Sequence, residues 1–221
     1  MRAGDNGPMH ADARLPLFPL RTVLFPGGRL PLQIFEVRYL DMVQTAHREG
    51  TPFGVVCLTE GDEVRRPVDG GFAHEAFHLT GTLARVDHLE RPRPGLLMVR
   101  CTGVQRFRLE DVTCLPHGLW VGDADELPDD PPVPIPSDLE HTGLALARVV
   151  DDLRAQGLDE DALPLQGPWQ FDDCGWVANR WSELLPLSAE HRQQLLLLES
   201  PLVRLELVAD ELERLRGGPV T

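Results

Sequence analysis

The 221-residue chain contains no lysine; arginine supplies all 21 of its Lys-plus-Arg positions. That absence removes every mechanism built on a lysine: Ser–Lys peptide hydrolysis, Schiff-base chemistry, and the lysine of a phosphate-binding P-loop. Isoleucine occurs only at Ile34 and Ile135, asparagine only at Asn6 and Asn179, and tyrosine only at Tyr39. Such a set matches the codon bias of a GC-rich genome, so the missing lysine narrows the chemistry without pointing to a function.

Positive charge is also scarce in the second part of the chain. Residues 1–122 hold 14 acids and 14 arginines, whereas residues 123–221 hold 21 acids and 7 arginines. The whole net charge of -14 therefore lies beyond residue 122. Phosphate binding needs a positive field, so nucleic acid is a poor partner for that half. The four cysteines (Cys57, Cys101, Cys114, Cys174) form no C-x-x-C pair. They are expected to be buried free thiols of a reducing cytosol. Met1 to Ala13 lacks the apolar core of a secretory signal, and no run of about 18 apolar residues occurs. A cytoplasmic protein without a membrane span is the expectation.

Residues 1–13 are small and polar and read as a disordered start. Leu15 to Leu20 is apolar but interrupted by Pro16 and Pro19, which suits an edge strand or a strand entry. Phe25-Pro26-Gly27-Gly28 is a turn, and Leu30, Leu32 and Ile34 alternate with polar neighbours as in a strand. From Phe35 to Arg48 the period becomes helical. Tyr39, Leu40, Met42, Val43 and Ala46 form the apolar face, with Arg38 on the polar one, and Gly50 ends the helix. Strands follow at 53–58, 77–86, 97–109 (bent at Gly103) and 112–121. Short strands with frequent turns and one helix suggest a small barrel or sandwich.

Residues 123–136 carry five prolines and five acids and read as a stiff, extended linker. Helices follow. Ser137 to Glu140 has the form of a capping box, and helical patterns run from there to Gly157, from Asp172 to Leu185, from Ala189 to Glu199, and from Pro201 to Leu215.

Leu15-Pro16-Leu17-Phe18-Pro19-Leu20 through Leu30-Pro31-Leu32 closely resembles the opening of the N-terminal, substrate-binding domain of the Lon protease family. Ile34 to Tyr39, Gly81 to Val86 and Gly103 to Arg108 continue the match in order. The helices beyond Pro136 are similar to the family's following helical part. The resemblance implies an α+β fold: a PUA-like, mostly antiparallel β pseudo-barrel with one helix (14–122), a linker (123–136) and an α-helical bundle (137–217). A Lon protease also has an ATPase module and a Ser–Lys peptidase. No Walker motif or lysine occurs in this chain, so the expectation is a stand-alone, non-enzymatic recognition module without catalytic residues, cofactor or metal.

Three features carry possible chemistry. His74-Glu75-Ala76-Phe77-His78 fits H-E-x-x-H, which binds zinc when it lies on a helix. Here it falls at a strand entry, where the two histidines share no helical face, so a zinc hydrolase is a remote alternative. Arg85, Arg91, Arg93, Arg100, Arg106 and Arg108 form a basic strip; an RNA-binding PUA-like protein is the other alternative, against a solvated strand face. Trp176 lies among Asn179, Arg180 and Glu183 on the polar side of its helix, so it either packs under the preceding loop or meets a partner. Trp181 belongs to the core, and Phe18, Leu32, Phe35 and Tyr39 read as core or structural residues. Asp172-Asp173 is read as a helix start and Asp129-Asp130 as linker charge. The leading expectation is a module that binds exposed polypeptide segments or acts with a Lon-type protease, with Phe25, Trp120 and Trp176 as contact residues.

Overall fold

The computed structural model describes residues 14–216 except 64–66, 69, 70, 73 and 161; the expected disordered start lies outside the described residues. The strands are β1 (Leu15–Leu20), β2 (Arg29–Ile34), β3 (Phe53–Glu60), β4 (Pro67–Val68), β5 (Gly71–Phe72), β6 (Ala76–Phe77), β7 (Thr80–Arg93), β8 (Leu96–Cys114) and β9 (Trp120–Glu126). The helices are α1 (Val37–Glu49), α2 (Glu140–Ala155), α3 (Cys174–Leu184), α4 (Ala189–Leu197) and α5 (Pro201–Arg216). The main sheet runs β1-β9-β8-β7-β3-β6, and β1 also pairs with β3, closing a barrel. Every pairing in it is antiparallel except β1 with β3. This is the α+β pseudo-barrel followed by helices that the sequence suggests.

β1 is not an edge strand. Leu15 to Leu17 pair with β9 and Leu17 to Leu20 pair with β3. The two pairings are staggered, so Pro16 and Pro19 each sit beside only one partner. β2 alternates as its sequence does, with Leu30, Leu32 and Ile34 buried, and pairs with the first part of β8. At Gly103 the register of β8 against β7 shifts, and the 25–28 turn inserts there: Gly27 N–H donates to Gly103 O at 2.7 Å and Gly103 N–H to Gly28 O at 2.9 Å. A Cβ on Gly103 would stand 2.2 Å from Phe25 O, too close for any side chain. Beyond Gly103, β8 continues to Cys114 and pairs with β9.

β9 runs on to Glu126, so Asp123 to Glu126 are strand where a linker is expected. Their acids stand on the exposed end of the ladder, which their composition alone does not reveal. The expected capping box also does not form. Leu139 is the N-cap of α2 and no side chain bonds there. Asp173 and Ser188 do cap α3 and α4, accepting from Trp176 N and His191 N respectively.

Barrel and helices are not separate cores. Val23, Phe25 and Cys57 of the barrel join Leu146, Val177, Trp181, Leu195, Leu205 and Val208 in one buried cluster. α1 covers a second cluster with Phe18, Leu32 and Tyr39, whereas Phe35 is 52% exposed rather than core because it precedes the helix and projects outward. Cys57, Cys101 and Cys174 are buried thiols, but Cys114 at the end of β8 is exposed.

Candidate functional site

Side chains that sequence patterning assigns to solvent instead join the barrel to the helices. Asn179 and Arg180, on the polar side of α3, are buried. Arg180 Nη2 donates to Pro26 O at 2.8 Å, and its Nε lies 3.0 Å from Glu183 Oε2. Gly27 (φ 74°) leaves no room for a side chain: a Cβ there would approach Arg180 Nη1 to 2.8 Å. Phe25, just before this turn, is 0% exposed. It therefore offers no surface contact. Its expected place as an apolar contact residue is corrected by its insertion into the helical core.

Asp130 forms a second junction. It accepts from Arg106 of β8 at 3.0 Å and is ion-paired with Arg204 of α5. Arg106 also donates to Leu196 O at 3.0 Å and Leu198 O at 3.1 Å, and Arg204 to Asn179 Oδ1 at 3.0 Å. Desolvation lowers the pKa of Arg106, while Asp130 opposes the shift. Asp130 is thus a half-buried counter-ion of two buried arginines rather than linker charge. The basic strip is broken as well: Arg106 is buried, Arg85 pairs with Asp87 at 3.0 Å, and Arg91 bonds Gln44.

Between these junctions lies a cleft of about 770 Å³. Arg85 and Arg100 line its barrel wall, and Asp129, Gln170, Asp173 and Trp176 its helical wall. Trp176 is half-buried at the start of α3, where its N–H donates to Asp173 Oδ1 at 2.8 Å. Its ring meets Trp169 and Phe171 edge-on, at 6.0 and 5.3 Å between centroids, and those two stack 5.7 Å apart. The indole therefore packs under the preceding loop and also faces the cleft. Arg29 fastens the loop beside it, donating to Gln166 Oε1 and Leu163 O at 3.0 Å each. Gln166 Nε2 in turn donates to Thr102 Oγ1 at 2.7 Å. Cys101 also lines the cleft; burial pushes its thiol up to about 12, so it is no nucleophile there.

The H-E-x-x-H stretch is pulled apart. His74 is exposed beside Glu60 (3.5 Å), and His78 reaches Glu190 of α4 at 3.2 Å. Glu75 points inward: it pairs with Arg38 at 3.2 Å and accepts from Trp120 Nε1 at 2.8 Å. Arg38 is therefore buried rather than on the solvated side of α1, and it also donates to Gly118 O at 3.0 Å. Trp120 is half-buried, with its ring edge-on to Phe77 at 5.4 Å. Among the described residues no group of three His, Cys, Asp or Glu could hold a metal ion. No helix among them is long and apolar enough to cross a membrane.

The comparisons with known proteins agree with this architecture. The chain is 32% identical over 100 residues to a Lon protease of Flavobacterium johnsoniae, a match covering 44% of this chain and 11% of that protein. It thus spans about a tenth of that relative's length. A solved Lon N-terminal domain protein from Xanthomonas campestris is similar at 30% identity and a TM-score of 0.66, with 90% of this chain and 98% of that one covered. The N-terminal domain of a Mycobacterium avium complex Lon protease shares the fold at 16% identity, with a TM-score of 0.56 and coverage of 91% and 98%. The family model described as the ATP-dependent protease La (LON) substrate-binding domain matches residues 14–214, and the chain belongs to that family.

Proposed function

We propose that this chain is a recognition module that binds exposed, partly apolar segments of polypeptides in the cleft between barrel and helices, and so selects clients for a Lon-type protease. The observation that carries this reading is the half-buried Trp176 in a cleft wall bearing both signs of charge. An aromatic anchor ringed by polar groups is the usual composition of a peptide contact. Membership of a substrate-binding family supports the same reading.

A thiol-blocked, permanently unfolded protein is the probe. The full chain should retain it in the presence of a chelator and with little change between low and physiological salt. Trp176→Ala should weaken retention about tenfold, within the range for loss of an aromatic anchor. Retention of RNA with a steep loss in salt, and no retention of the unfolded protein, would overturn the proposal.

A further inference from the structure

A second, smaller groove of about 240 Å³ shares no lining residue with the cleft. It opens where β7 begins, beside α4. Leu79, Leu109 and Leu197 line it, and Leu79 and Leu197 are 50% and 47% exposed. Gln193 of α4 also lines it, though 1% exposed. Its amide nitrogen donates to Thr80 O at 2.9 Å, but its Oε1 is buried and accepts no hydrogen bond. Leaving such an acceptor unsatisfied is costly, so a ligand N–H that reached it would be favoured.

His78, Thr80 and Arg108 also line the groove, and Arg108 is exposed at its rim. Its guanidinium makes no ion pair or side-chain hydrogen bond among the described residues. The nearby carboxylate of Glu190 is held by His78 Nε2 at 3.2 Å. The groove therefore presents an apolar slot, one unpaired acceptor and one uncommitted cation. A chain-terminal residue supplies the three matching parts at fixed spacing: a side chain, a backbone N–H and a carboxylate. An internal residue supplies the first two and only a neutral carbonyl for the third, and a charge-assisted pair is roughly twice as strong as a neutral one.

We infer that this groove takes the carboxy-terminal residue of a polypeptide when that residue is apolar. The side chain lies among Leu79, Leu109 and Leu197, the N–H donates to Gln193 Oε1, and the carboxylate meets Arg108. The inference rests on the polypeptide-binding reading above and adds to it a preference for free chain ends.

The test uses fluorescence anisotropy with the full chain and a dye-labelled, unstructured hexapeptide ending in leucine. Four forms are compared: the free acid, the carboxamide, a form ending in serine, and one whose terminal amide nitrogen is methylated. The acid should bind about tenfold more tightly than each of the others, as expected for loss of one charge-assisted contact or one buried contact. Arg108→Gln should abolish the difference between acid and carboxamide without changing the melting temperature, because the side chain is exposed. Leu197→Ser should weaken the leucine peptide and leave the serine peptide unchanged. Equal binding of acid and carboxamide, or a preference that survives Arg108→Gln, overturns the inference but leaves polypeptide binding standing. Failure of every peptide, with the unfolded protein still retained through Trp176, likewise removes only the chain-end preference. Failure of both removes the two readings together.

Discussion

Gly28 and Glu183 stand so close that a methyl group on the glycine would lie 1.9 Å from the carboxylate oxygen Oε1 of the glutamate. The carboxylate cannot simply swing away. Arg180 Nη2 holds the same oxygen at 3.1 Å, and Phe25 O would stand 2.9 Å from the new methyl on its other side. Gly28→Ala should therefore destabilise the fold by about 1–3 kcal/mol, the usual cost of overpacking. Urea denaturation measures it. In a double variant with Glu183→Ala the combined cost should fall short of the sum, since one substitution removes the atom that the other meets.

The same glutamate should give the protein an acid-favoured stability. Burial pushes the Glu183 carboxyl up from 4.5 to about 7, against the pull of Arg180, the Phe25 backbone and Arg192. The folded state thus holds a proton between those pH values that the unfolded state has released. Stability is fully expressed below pH 4.5 and declines as pH rises through 7, by about 3 kcal/mol for a shift of this size. Glu183→Gln should remove that slope. Denaturant midpoints at pH 5 and pH 8 that stay equally far apart in wild type and variant would assign the slope to another group.

Asp130 and Asp129 should differ sharply in their response to the same substitution. Asp130→Asn leaves Arg106 and Arg204 buried with their shared counter-ion gone, a change worth about 3–5 kcal/mol. Asp129→Asn alters an exposed side chain and should stay within about 0.5 kcal/mol of wild type. Thermal unfolding of the two variants side by side checks the contrast.

Glu75→Gln tests the H-E-x-x-H stretch. The carboxylate holds Arg38 and Trp120, so the variant should lose about 1–3 kcal/mol of stability. Added zinc should leave wild-type stability unchanged, and the imidazole resonances of His74 and His78 should not move. A zinc-dependent shift of both histidines would reverse this assignment.

The barrel strands and helices were readable because their apolar residues recur at periods of two and 3.6, and α1 with its αL Gly50 is the clearest case. The charged interior was not. Arg38, Arg106 and Arg180 are buried, as is Arg204 of α5, yet periodicity places the first three on solvated faces. What covers them comes from distant sequence: Glu75 for Arg38, and Asp130 for both Arg106 and Arg204. The site was half legible. Trp176 stood out as an aromatic on a polar face, but the wall opposite it is built by Arg85 and Arg100 of the barrel. The small groove left one faint sign, a glutamine within the leucine-rich stretch of α4, and its unsatisfied oxygen is visible only in three dimensions.

The closure of the barrel through its first strand sets an order on folding. β1 lies between β3 and β9, with Leu15 opposite Gly122 and Leu20 opposite Cys57. A nascent chain can join β1 to β3 early, but the other side of β1 stays open until β9 has emerged from the ribosome. Joining ends so distant carries a loop-closure cost and slows folding relative to a helical bundle of equal size. Phe25 waits longer still, because the helices that bury it are synthesised after the barrel. During that interval the growing chain carries an unpaired strand edge and an uncovered aromatic wedge, features that expose a polypeptide to aggregation before it is complete.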